Sequence, residues 1–395
     1  MIFSIPASEE RSSTLNNKTM QNIQMVDLQA QYKSLKNEID ARIIACIESG
    51  AFIHGPEVKT FEAGLGKYLD GAHVVACANG TDALQIALMA LNLESGDEVI
   101  VPSFTFVASV EVIALLGLKP IVVDVDPRTF LMKVDGIEAS LSPRTRAIIP
   151  VHLFGQCVNM KALMGIAKSR DLIVIEDNAQ SIGARCIVAD ESRQMSGTIG
   201  HIGCTSFYPA KNLGCYGDGG AMFSKDEKIA HQLKMVANHG MEKRYYHDII
   251  GVNSRLDSIQ AAVLNVKLPH LERWNQLRRA AADKYDQQLS TISSILTPAR
   301  VPWSDHVFHQ YTIRVTDGRR DELQKYLASQ QIPSMIYYPV PMHEQAAFSK
   351  LVRRRVPLIH TEKISQEVLS LPMHPDLQDD QISYICEHVS KFFTA

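Results

Sequence analysis

The sequence predicts an α/β fold: a mainly parallel sheet between layers of helices, followed by a smaller C-terminal α+β domain. Three observations carry that expectation. From residue 73 to about 177, short β-branched runs alternate with helical stretches, the rhythm of strands joined by crossover helices. The runs are continuously apolar, as strands buried on both faces are. At 395 residues the chain is too long for one small core, so a large domain plus a smaller one is the natural division.

The elements follow in order. Residues 1–24 lack a basic start and a long apolar run, and read as a loose tail rather than a signal peptide. In YKSLKNEIDARIIACIESG, Leu35, Ile39, Ile43 and Ile47 recur every four residues and give one helix face that stops at Gly50. HVVAC is followed by helical TDALQIALMAL, DEVIVP by VASVEVIALLG, PIVVDV by DGIEASL and AIIPVH by MKALMGIAKSR; LIVIED closes the series. After about residue 225 a long helical region runs from SIQAAVLNVKL through ERWNQLRRAAADKYDQQL. FHQYTIRV, helical RRDELQKYLASQ, IPSMIYYP and helical DDQISYICEHVSKFF complete the chain. This divides it into a large domain, 25–265, and a small one, 266–395, with no repeat or low-complexity linker.

Composition narrows the function. A charged fraction of 21% and a net charge of -3 give no reason to expect nucleic acid or an anionic membrane as partner. No segment is long and apolar enough to span a bilayer. The seven cysteines are scattered without a C-x-x-C, which suits reduced, buried thiols in a cytoplasmic protein. The 14 histidines offer no H-x-x-x-H pair beside a carboxylate cluster, so no metal is expected.

Ligands of parallel sheets bind beyond the carboxyl ends of the strands. At the first such end, Cys77-Ala-Asn-Gly-Thr-Asp82 is a phosphate cradle of helix N–H groups around Gly80 with the Thr81 hydroxyl; alternatively it is a plain turn with Thr81 or Asp82 capping the helix. Asp177 ends LIVIED, where a carboxylate needs a partner. Either a protonated ring nitrogen supplies it, or Asp177 caps the next turn, with Gln180 close behind. Phe106 in PSFTFVAS stacks on a heterocycle or is a core aromatic. Lys211 stands in SFYPAKNLGCYGDGGA. It is a surface-loop lysine, or it reaches the carbonyl of a phosphate-bearing aromatic aldehyde as a Schiff base, the chemistry of pyridoxal 5'-phosphate.

In chain order, ANGTDAL, PSFTFVAS, EDNAQSIGA, SFYPAKNLGCYGDGGA, GVNSRLDSIQAAVL and IPSMIYYPVPMH resemble the sugar aminotransferases of the DegT/DnrJ/EryC1/StrS family, fold-type I pyridoxal-phosphate enzymes. The resemblance runs from about Met25 to the C-terminus. It implies that Lys211 forms the imine, Asp177 pairs with the pyridine nitrogen, Gln180 lies by the ring hydroxyl and Phe106 stacks on the ring. It also implies that Gly80, Thr81 and Ser206 hold the phosphate, with Asn253 reaching it from the neighbouring subunit of a homodimer with shared sites. The implied reaction is a two-step amino transfer from glutamate to a nucleotide-linked keto sugar. Lysine rather than histidine at 211 argues for the transaminase branch over sugar dehydratases.

Within the family the wording most resembles the branch that aminates UDP-2-acetamido-2-deoxy-3-oxo-glucuronate for surface polysaccharide biosynthesis. Arg255 is then expected to pair with the uronate carboxylate through a bidentate fork. Lys243 and Arg244 meet the diphosphate or form a solvated basic loop. Tyr337 and Tyr338 line the sugar pocket or pack within the small domain. The alternatives are a 3- or 4-keto-6-deoxy sugar nucleotide as substrate, and a non-catalytic sugar-nucleotide binding or regulatory protein.

Overall fold

The computed structural model describes residues 23–394. Residues 1–22 of the expected tail lie outside the described residues. Of its last two, Ile23 is 5% exposed and packs into the apolar core of the C-terminal region.

The alternating region becomes an eight-stranded sheet. In chain order its first strands are β1 (His73–Cys77), β2 (Glu98–Pro102), β3 (Lys119–Val123), β4 (Thr145–Ile148) and β5 (Ile173–Asp177). A hairpin of β6 (Arg185–Ile187) and β7 (Arg193–Met195) precedes β8 (Ile202–Ser206) and β9 (Gly220–Ser224). The C-terminal third adds β10 (Ile295–Leu296), β11 (Tyr311–Val315), β12 (Arg353–Arg354) and β13 (Val368–Leu371). The large sheet runs β1-β9-β8-β5-β4-β2-β3-β12. Its neighbours pair in parallel except at β9, which is antiparallel to both β1 and β8.

Strand residues serve two cores by turns, because side chains alternate across a strand. Val99 and Val101 enter the layer with the helices Gly80–Met89 and Ala108–Leu115, and Ile100 enters the opposite one with Met160–Ser169. Burial on both faces explains why these strands carry no polar alternation.

The first helix, Leu28–Ser49, ends at Gly50 in the left-handed conformation (φ 64°), which glycine adopts without a Cβ penalty. Of its expected apolar stripe only Ile47 is left uncovered, Ile43 being partly buried against the cluster that holds Leu35 and Ile39. Leu35 and Ile39 pack on Val263, Val266 and Trp274, whereas Ile47 is 51% exposed. The long helical region is interrupted: the helices Ser258–Lys267 and Leu271–Leu289 flank a 3₁₀ turn, Leu268–His270. Pro269, which has no N–H to donate, lies in that turn.

The C-terminal region builds a three-stranded antiparallel sheet, β10-β11-β13. Leu271–Leu289, Arg320–Ser329 and Asp379–Thr394 cover it around Tyr285, Tyr311, Leu323 and Val389. Between β11 and β13 the chain returns to the large sheet, where β12 lies parallel to β3. Arg355 anchors that return on Glu98 at 2.5 and 2.9 Å. All seven cysteines are free and buried. Among the described residues, no helix is long and apolar enough to cross a membrane.

Candidate active site

A cavity of about 570 Å³ opens where β1, β2, β5 and β8 end. Gly80, Thr81, Phe106, Asp177, Gln180, Ser206 and Lys211 all line it, with Tyr337 and Tyr338 from the C-terminal region.

After β1, Asn79 caps the helix Gly80–Met89 by accepting from the Asp82 N–H at 2.8 Å. The expected cap by Thr81 or Asp82 is therefore wrong, because the turn places the Asn79 oxygen over the first turn instead. The N–H groups of Gly80 and Thr81 belong to that turn, which has no intrahelical acceptors. Gly80 is required by close approach: a Cβ there would lie 2.6 Å from the Ser206 Cβ. Gly220 does the same for β9, where a Cβ would come within 2.4 Å of the Asn79 carbonyl.

Asp177 ends β5 and is 6% exposed. Its Oδ2 accepts from Ser109 Oγ at 2.7 Å and its Oδ1 from the Ala179 N–H at 3.1 Å, so it both steadies the next turn and faces the cavity. Behind it, Glu176 is fully buried and accepts from His152 Nε2 (2.8 Å) and from the Gly197 and Ile199 N–H groups (2.8 and 2.7 Å). These bonds tie the end of β5 to two flanking loops. Gln180 accepts from the Phe154 N–H at 2.7 Å and donates to the Tyr338 hydroxyl at 3.1 Å. Burial pushes that phenol's pKa up. Phe106 is 53% exposed, its ring 6.2 Å from that of Tyr338. It is a rim aromatic, and the neighbouring core aromatic is Phe104.

Lys211 follows a tight turn closed by its own N–H on the Tyr208 carbonyl at 2.8 Å. The loop folds back so closely that a Cβ on Gly214 would lie 2.3 Å from the Pro209 oxygen. The lysine thus faces the cavity, not the outer surface. Burial pushes its amine down to about 8, against the opposing pull of the Asp177 carboxylate.

Other expected residues lie elsewhere. Asn253, Arg255, Lys243 and Arg244 do not line this cavity. Arg255 Nε donates to Asn253 Oδ1 at 2.7 Å, and its Nη2 lies 3.4 Å from His239 Nε2. Lys243 and Arg244 sit over the Tyr246 and Tyr245 rings at 4.9 and 5.0 Å in an exposed loop. The sequence reading missed Tyr208, Asp218, His309 and Gln310, which also line the cavity. His309 sits in FHQYTIRV, almost a hundred residues from Lys211, and no local pattern marks it. Away from the cavity, His343, Glu344 and Glu362 bring potential metal ligands within 4.8 Å of one another. There His343 Nδ1 is already 2.8 Å from Ser103 Oγ.

Residues 33–390 match the model of the DegT/DnrJ/EryC1/StrS aminotransferase family. The chain belongs to that family. A Geobacillus stearothermophilus relative named pleiotropic regulatory protein is 44% identical over 94% of this chain and 99% of its own. The UDP-2-acetamido-2-deoxy-3-oxo-D-glucuronate aminotransferase of Pseudomonas aeruginosa is 42% identical over 92% of this chain and 98% of its own. A dTDP-3-amino-3,4,6-trideoxy-alpha-D-glucose transaminase of Streptomyces venezuelae is 39% identical over 94% and 96%. Among solved structures, a family aminotransferase from Brucella abortus superposes with a TM-score of 0.90 at 42% identity, covering 95% of this chain and 100% of that one. NtdA from Bacillus subtilis, solved with bound cofactor PMP, gives 0.84 at 32% identity over 92% and 82%.

The protein is accordingly an aminotransferase that works with pyridoxal phosphate, and its own residues fit that group. One cavity holds a buried carboxylate, an amine that burial brings toward neutrality, a rim aromatic, and a helix-start turn cleared by glycine at Ser206. By chemical type these groups suit a protonated ring nitrogen, an aldehyde carbon, a ring face and a phosphate respectively.

Proposed function

We propose that this aminotransferase moves an amino group from glutamate to UDP-2-acetamido-2-deoxy-3-oxo-glucuronate. It would act in the cytoplasm as a homodimer with shared sites, supplying surface polysaccharide biosynthesis. The observation that carries the chemistry is Lys211 and Asp177 in one strand-end cavity. The substrate is supported by the Pseudomonas aeruginosa relative and by a guanidinium, Arg255, suited to a uronate carboxylate.

Bound pyridoxal phosphate supplies an electron sink through which an amino group can pass from an amino acid to a ketone. Lys211, near neutrality around pH 8, takes the proton from the donor Cα and returns it. Asp177 would keep the ring nitrogen protonated, its own charge steadied by Ser109. The Gly80 and Thr81 N–H groups and Ser206 Oγ would hold the phosphate, and Phe106 would cover one ring face. Gln180, clamped by Phe154 and Tyr338, would meet the ring hydroxyl. Tyr337 and Tyr338 border the sugar.

The dimer is supported by apolar groups that one chain leaves open: Ile44, Ile47, Phe52, Ile53 and Ile250 are 44–85% exposed. A second copy covering them would carry Asn253 to the phosphate, with Arg255, Lys243 and Arg244 beside the uronate and diphosphate.

The Streptomyces venezuelae relative favours a second reading, a dTDP-linked deoxy keto sugar. Single-turnover assays of the amino-loaded enzyme against a 3-oxo uronate and a keto-6-deoxy sugar separate them. The uronate should react at least tenfold faster, and Arg255→Ala should abolish that preference. Preference for the deoxy sugar would overturn the substrate assignment.

A further inference from the structure

A second buried lysine grips the loop that carries the first. Residues 207–215 form a closed loop: the Cys215 N–H donates to the Phe207 carbonyl at 2.8 Å, and Lys211 stands midway between them. The helix Ser258–Lys267 holds the closing end of that loop at two points. Gln260 accepts from the Tyr216 N–H at 2.8 Å, and Lys267 Nζ donates to the Gly214 carbonyl at 2.8 Å. The same ammonium lies 4.2 Å from the centre of the Tyr216 ring, within reach of a cation–π contact.

Lys267 is 0% exposed. Burial pushes its amine down to about 8, against an upward pull from Cys215. Its partners are a carbonyl dipole and a ring face, and among the described residues no carboxylate neutralises it. A charge buried in this way costs stability. A methionine would fill similar space without that cost. What the ammonium adds is direction, because both of its contacts go to the closing end of the Lys211 loop.

The grip is passed on through packed backbone. Gly214 sits so close to the start of the loop that a Cβ on it would lie 2.3 Å from the Pro209 oxygen and 2.8 Å from the Tyr208 oxygen. That Tyr208 carbonyl accepts the Lys211 N–H at 2.8 Å. Gly214 therefore cannot move without displacing the turn from which Lys211 projects.

We propose that Lys267 is a positioning residue: by gripping the Gly214 carbonyl and the Tyr216 ring it sets where the Lys211 amine stands in the cavity. This rests on the reading of Lys211 as the reactive amine. The residue acts through the loop and touches no substrate.

Lys267→Met removes the charge and the donor while keeping the length of the side chain. Tyr216→Leu removes the ring face, and Tyr216→Phe keeps it. Each full-length variant is loaded with pyridoxal phosphate, and the single-turnover rate is followed at several glutamate concentrations. In Lys267→Met the rate should fall about tenfold, while the half-saturating glutamate concentration changes under about threefold. The cofactor-free variant should melt no lower than wild type at pH 7, which separates positioning from ordinary core packing. Tyr216→Leu should lose about threefold in rate and Tyr216→Phe nothing. The double variant Lys267→Met/Tyr216→Leu should be no slower than Lys267→Met alone, since both changes break one grip.

A Lys267→Met rate within about twofold of wild type overturns the proposal. So do losses that multiply in the double variant, or a lower melting temperature with unchanged turnover by the folded protein. Should Lys267→Met fail to fold, the two Tyr216 variants decide alone: equal rates in Leu and Phe overturn it. A wild type that captures no cofactor fails earlier, at the reading of Lys211, and takes the proposal with it.

Discussion

Asp177 and Lys211 line one cavity, and the charge of the first works against the burial of the second. Burial pushes the Lys211 amine down to about 8, and the Asp177 carboxylate pulls it back up. The balance leaves an amine that is available near physiological pH and a carboxylate free to hold a proton on whatever nitrogen faces it.

The depressed amine has a cost that pH reveals. The unfolded chain holds the lysine proton up to about 10.5 and the folded one only to about 8. Between these values the unfolded state binds more protons, so this group's contribution makes stability rise with pH. Lys211→Met is expected to stabilise the cofactor-free protein by ~1–3 kcal/mol at pH 7, with the gain shrinking toward pH 10. Urea unfolding at the two pH values measures it, and a variant less stable than wild type at both contradicts the assignment.

Asp177→Asn keeps an oxygen for the Ala179 N–H, turns its amide NH2 toward the Ser109 hydroxyl, which can accept, and loses the charge. Cofactor should still bind, while the half-reaction with glutamate falls by about a hundredfold or more, because the ring nitrogen no longer stays protonated. Rapid-mixing spectroscopy reads both quantities. Unchanged rates would remove Asp177 from the chemistry.

Gly80→Ala would set a methyl 2.6 Å from the Ser206 Cβ. The strand end and the turn must separate, so affinity for pyridoxal phosphate should drop about tenfold or more. Pyridoxal without its phosphate should lose little. Equal losses for the two would show that the turn does not hold the phosphate.

Much of this arrangement is legible in the sequence, and the exceptions have physical causes. β1 to β5 announce themselves because burial on both faces gives each a short apolar run, with polar residues confined to the strand ends. Asp177 and Gly80 are found because one ends such a run and the other follows one within three residues, and Lys211 because it lies five residues after β8 beside a cluster of glycines. β9 reads like any other buried strand, since an apolar run carries no sign of direction. β12 is two exposed arginines, placed by the distant Glu98–Arg355 pair and not by any β signal of its own. His309 is brought into the cavity that Lys211 lines by the fold of the C-terminal region, a placement no local pattern encodes.

That Glu98–Arg355 pair gives a further test. The Arg355 guanidinium holds the Glu98 carboxyl below the ordinary carboxylate range, helped by Ser142 and Thr145 and opposed by burial. Its contribution is present above the unfolded pKa and is lost as pH falls through the folded one. Glu98→Gln should lower the melting temperature at pH 7, and the deficit should be smaller at pH 3. A similar deficit at both would mean that the charge is not what matters.

Ile44 and Ile47, 54% and 51% exposed on the first helix, bear on assembly. Ile47→Asp should shift the protein from dimer to monomer in sedimentation equilibrium and weaken cofactor binding, because Asn253 would no longer be supplied from a second copy. A wild type that sediments as a monomer would remove the shared-site account.

The central claim is that Lys211 is the amine through which this aminotransferase works. The most direct measurement is the visible spectrum of the purified protein before and after glutamate, with Lys211→Ala alongside. The account predicts a yellow band that glutamate bleaches in the wild type, and that Lys211→Ala lacks. A wild type that stays colourless with added pyridoxal phosphate, or a variant that behaves identically to it, would contradict the account.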